Sequence, residues 1–224
     1  MLESPERPRL ASLIGWCGII GAGLVLAGCV TSAWMFEREG FAYSIFGCFI
    51  SELGDVVHSR GHAAFNGGLA LGSLPLLVFM VALGQGFRGR LVRLAQLAGL
   101  LAGVGAFFVA VYPMNELRAH MAAANTFFYS GMISCFVYSI VIYRGPSPVP
   151  RAMAFFAAGV VAIFAAFLFL PLGYRVGPEP TVLRILPYQH PTFWMPPFVE
   201  WLVLASVLGW VLTLAVAMLR QRSA

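Results

Sequence analysis

Apolar positions in this chain come in long blocks rather than in stripes. Six blocks stand out: Leu10–Phe36, Ala63–Leu83, Leu94–Val111, Met121–Tyr143, Ala152–Leu172 and Pro197–Leu219. Each is close to the ~20 residues that a helix needs to cross a bilayer. A helix that is apolar on every side has no face for water. Arg, Pro, Gly or a polar cluster bounds each block. Pro171 and Gly173 close the fifth, and Pro196-Pro197 open the sixth, where proline suits a first helical turn. The pattern predicts an all-α polytopic membrane protein, a six-transmembrane-helix bundle forming one domain over residues 1–224. It carries no internal repeat, interdomain linker or heptad. A shorter apolar stretch, Phe41–Ile50, is too short to span and reads as interfacial or re-entrant.

Composition agrees with the pattern. Charged residues make up 10% of the chain, against about 25% in a soluble domain, and mean hydropathy is +0.84. All 14 basic residues are Arg, which points to a GC-rich, bacterial coding sequence rather than to chemistry. The net charge of +5 is scattered over loops and termini without a basic stripe, so no nucleic-acid partner is expected. Cys17, Cys29 and Cys135 lie in apolar blocks and Cys48 near water, a set that reads as free thiols. Leu26-Ala27-Gly28-Cys29 mimics a lipoprotein cleavage site. The apolar run continues past it to Phe36, so an uncleaved first helix is expected.

Arginine counts give the sidedness. Arg7, Arg9, Arg88, Arg90, Arg93, Arg144, Arg151, Arg220 and Arg222 fall on one side, and Arg38, Arg60, Arg118, Arg175 and Arg184 on the other. Both termini are therefore expected in the cytoplasm, with the protein multi-pass in the plasma (inner) membrane. All four His and every acid except Glu3 and Glu6 then lie on the non-cytoplasmic side, where chemistry is expected. Glycines recur at helical spacing (Gly15, Gly18, Gly21; Gly68, Gly72; Gly99, Gly103) and allow close helix approach. Packing within the chain is the expected use, and a homodimer through these faces the alternative. The Pro- and aromatic-rich loop 173–196 reads as a segment lying over the bundle.

Four clusters carry candidate chemistry. In Ile50-Ser51-Glu52-Leu53-Gly54, a hydroxyl and a carboxylate precede a spanning helix, suited to a headgroup amine or simply to capping. His58 and His62 would share a face on a helix, as zinc ligands do, and Asn66 extends that face. Solvated histidines are the favoured reading, with zinc on His58, His62 and His120 the alternative and no cofactor otherwise expected. Tyr112-Pro113, Glu116 and His120 lead into the fourth helix, with Asn125 about a turn deeper. Glu200 sits in the first turn of the sixth, a costly place for a carboxylate without a partner such as Arg118, His120 or Arg60.

In order along the chain, Ile50-Ser51-Glu52-Leu53-Gly54, Phe65-Asn66-x-Gly68, Tyr112-Pro113, His120, Phe127-Phe128 and Glu200-Trp201 resemble the DUF998 family of prokaryotic integral membrane proteins. They are also similar to the wider Frag1/DRAM/Sfk1 group. The resemblance spans about residues 10–219. It implies six helices, cytoplasmic termini, and one outer-face site containing Ser51, Glu52, His120 and Glu200. It implies no reaction, but the eukaryotic relatives' ties to lipid distribution point to lipid handling. The expected function is thus binding or organising membrane lipid through Ser51, Glu52, Asn66, His120 and Glu200. An intramembrane hydrolase or acyl-transfer enzyme, with or without zinc, is the alternative. A transporter is disfavoured, because the helix centres carry essentially no ionisable residue.

Overall fold

A computed structural model describes residues 6–36, 42–170 and 192–220. The described residues form six long helices and no strand: α1 (Glu6–Trp34), α2 (His62–Gln85), α3 (Arg90–Val111), α4 (Leu117–Arg144), α5 (Ala152–Phe169) and α6 (Met195–Arg220). All six are long and apolar enough to cross a membrane, the architecture of a multi-pass membrane protein. Two short 3-10 turns, Ile50–Gly54 and Met114–Glu116, interrupt the connections before α2 and α4. The loop expected to lie over the bundle falls mostly outside the described residues.

Each helix packs against its neighbours in sequence, and α6 returns to α1. The result is a closed ring of six. The seam between α1 and α2 is the tightest kind. A Cβ added to Gly68 would lie 2.7 Å from the Gly28 Cα and 2.8 Å from the Leu24 carbonyl oxygen. Only hydrogen fits there, and the backbones touch directly. The other predicted glycines are also occupied within the chain: Gly15 against Leu219, Gly18 against Ala215 and Phe79, Gly99 against Met80 and Gly103 against Leu77. The outer faces carry exposed apolar side chains such as Leu13, Ile20, Leu97 and Phe155, as helices in lipid do.

Several boundaries shift from the sequence reading. α4 opens at Leu117, three residues before His120, so His120 lies inside the helix and is only 5% exposed. The helical face that the zinc alternative needs from His58 and His62 does not form, because α2 begins at His62 behind Gly61 and leaves His58 in a turn. Pro75 sits inside α2, where it removes one backbone donor without ending the helix.

Candidate functional site

The α1–α2 connection closes one end of the ring. Its 3-10 turn contacts α1, α2, α6 and the turn before α4. Cys48 and Leu53 within it are completely buried. Backbone placed there has little water to bond to, so each polar group needs a protein partner. The partners come from around the ring. Glu52 Oε1 accepts the Phe49 N–H at 2.8 Å, and Glu200 Oε2 accepts the Ile50 N–H at 2.8 Å. The Ser32 hydroxyl donates to the Leu53 carbonyl at 2.9 Å, and Asn66 Nδ2 to the Gly54 carbonyl at 3.0 Å. Tyr43 donates to the Phe49 carbonyl at 3.0 Å and accepts from Trp201 Nε1 at 3.1 Å. Burial pushes the Tyr43 phenol well above its usual value, which keeps it a donor.

Below this plug the ring encloses a cavity of about 110 Å³, lined by residues of α1, α2, α3, α4 and α6 together with Ile50 and Ser51. A second, of about 250 Å³, lies between α4, the end of α5 and the start of α6. Exposed Met121, Asn125 and Tyr129 line it. Ser51, His120 and Glu200 line both cavities and so form the neck between them, with Ala124 and Phe128.

His120 Nδ1 lies 2.9 Å from the Tyr112 carbonyl oxygen. A carbonyl only accepts, so Nδ1 carries the proton and Nε2 is left with its lone pair. Glu200 makes no ion pair among the described residues, and Arg118 is exposed. The cationic partner considered for Glu200 is therefore replaced by a backbone N–H. No hydrogen bond engages the Ser51 hydroxyl among the described residues. The neck thus offers a carboxylate, an imidazole lone pair and a hydroxyl.

Of the five predicted ligand residues, the fold brings Ser51, His120 and Glu200 together. Glu52 and Asn66 instead hold the plug's backbone and line neither cavity. His58 Nδ1 lies 2.8 Å from Asp55 Oδ2, and His62 Nδ1 2.7 Å from the Ser59 carbonyl. No group of three or more His, Cys, Asp or Glu able to hold a metal forms among the described residues. Sequence reasoning missed the Tyr112 carbonyl, Tyr43 and the apolar cavity walls. The walls had a signal: from His120, the series Ala124, Phe127, Gly131, Ser134 and Cys135 follows one helical stripe. Comparison with family models, curated proteins and solved structures returns no match.

Proposed function

We propose that this protein binds a membrane lipid at the neck formed by Ser51, His120 and Glu200, with the non-cytoplasmic side as its address. The observation carrying the reading is that three polar side chains, from the plug, α4 and α6, line both an apolar cavity between the helices and a second one with exposed rim residues. An amphiphile needs that combination, a few placed polar groups beside an apolar wall. The Arg-poor end of the bundle and the motif resemblance to DUF998 proteins support the same assignment. Glu52 and Asn66 serve as positioning residues that hold Ser51 and Ile50 over the cavity.

Quantifying lipid that co-purifies with the detergent-extracted protein tests this. Glu200→Gln keeps an oxygen to accept the Ile50 N–H, so it folds but loses at least about tenfold in retained lipid, the scale of one charge-assisted contact. Glu52→Gln still accepts from Phe49 and retains lipid like the wild type. Equal lipid in all three proteins would contradict the site.

The enzymatic alternative rests on the same groups. The His120 Nε2 lone pair and the Ser51 hydroxyl line the same neck, the types needed for base-assisted acyl transfer. Release of a fatty acid from a bound lipid, lost in His120→Gln, would favour it.

A further inference from the structure

The neck's lower cavity continues into a third one of about 90 Å³, with Ser73, Leu76, Ala106, Phe127 and Val207 lining both. Together they form one chamber along the ring axis. Among the described residues, the hydroxyls lining this stretch are already engaged: Ser73 donates to the Leu69 carbonyl at 2.7 Å and Ser134 to the Ala95 carbonyl at 2.9 Å. The walls are otherwise apolar, which suits hydrocarbon and not water. At the far end the cavity is lined by Trp210 and Val211. Trp210 packs on Tyr138 and Tyr138 on Phe87, each pair with ring centroids 5.9 Å apart, and all three are buried.

The chamber's length can be read along α6. Val207 lies two turns below Glu200, about 10 Å, and Val211 a further turn, about 6 Å. Cavities of about 110 and 90 Å³ along that span leave room for at most one alkyl chain. The head's chemistry follows from the neck. Among the described residues no arginine lines either cavity that meets there, while Glu200 and His120 Nε2 are both acceptors. A phosphate or carboxylate head would face a carboxylate with no compensating cation among the described residues.

We infer that the ligand is a single-chain amphiphile with a hydrogen-bond-donating amine or hydroxyl head. Its head sits at Ser51, His120 and Glu200, and its tail runs down the axial chamber to Trp210, which sets its length. This rests on the neck being a lipid site and adds which lipid it takes.

The test is native mass spectrometry of the full chain, offered a ladder of saturated 1-alkylamines, 1-alkanols and alkanoic acids of graded length. The wild type should prefer chains of at most about a dozen carbons, the upper limit set by about 15 Å of chamber. Amines or alcohols should exceed acids of equal length by at least tenfold, and the better of the two identifies the head. Ala106→Phe fills the junction between upper and lower chamber and should shorten the preferred chain by roughly four carbons while binding persists, the part lost being about one helical turn. Val207→Phe narrows the same junction from the facing helix and serves if Ala106→Phe fails to fold. An unshifted length preference in a folded junction variant would overturn the axial tail while leaving the neck reading intact. Acids binding as well as amines and alcohols would overturn the head assignment. No probe bound by the wild type would overturn both this inference and the lipid reading.

Discussion

Two carboxylates separated by about 150 residues of chain do related work with different consequences. Glu52 and Glu200 each accept a backbone N–H from the same short stretch, Phe49 and Ile50. Glu52 is 2% exposed and caps its own turn, whereas Glu200 lines two cavities. A third acid, Asp55, ties the plug to the next connection. Its Oδ1 accepts from Asn115 at 3.0 Å and from the Val57 N–H at 2.9 Å, and Asn115 in turn accepts the Val56 N–H at 3.0 Å. Burial pushes the Asp55 carboxyl up, but the hydrogen bonds from Asn115, His58 and the Val57 and His58 amides outweigh it and hold the group below its ordinary value. A carboxyl lowered by folding stabilises at pH above its unfolded value and loses that contribution as pH falls through the folded one. The wild type should therefore melt above Asp55→Asn at neutral pH, and the gap should close below about pH 4. A gap that is constant down to low pH would remove Asp55 as the source.

At the scale of helices, close approach decides what each glycine tolerates. Gly67 and Gly68 are adjacent, yet a Cβ on Gly67 meets nothing within 4 Å while one on Gly68 strikes the α1 backbone. Gly67→Ala should be neutral or slightly stabilising, and Gly68→Ala should cost about 1–3 kcal/mol, the usual overpacking range. Thermal unfolding in one detergent compares them directly, and equal effects would contradict the α1–α2 seam. The helices themselves were legible from block length alone, because a span in lipid needs little more than twenty apolar residues. Their ends were not. α4 begins before His120 because a 3-10 turn at Met114–Glu116 leads into it, and nothing in the apolar block marks that start. The His58–His62 face of the zinc alternative is absent for a local reason already present in the sequence, the glycine at 61 that precedes the helix.

At the scale of the molecule, the ring explains why the polar stretch between α1 and α2 exists. Six helices packed only on their neighbours leave an axis to fill, and the chain fills one end with its own α1–α2 connection. Ser32, Asn66, Glu52, Tyr43 and Glu200 are polar because that buried backbone must be satisfied. Sequence motifs marked most of these positions without separating those that hold the plug from those that line the cavity. That separation depends on which way each side chain turns, and only packing reveals it. Ser51, His120 and Glu200 remain at the neck, and the axial chamber beneath them ends at Trp210.

The most direct measurement is fluorescence of Trp210 in the presence of a 1-alkylamine or 1-alkanol of the preferred length carrying bromine on its last carbon. Trp210→Phe isolates the contribution of this residue from the other tryptophans. A chain seated from the neck to Trp210 puts the bromine against that ring. The Trp210 component should then be quenched saturably, unaffected by a probe brominated beside the head, and lost in Glu200→Gln. Quenching of Trp210 that is absent, or that is the same for both bromine positions and both proteins, would contradict a lipid chain in the axis of the ring.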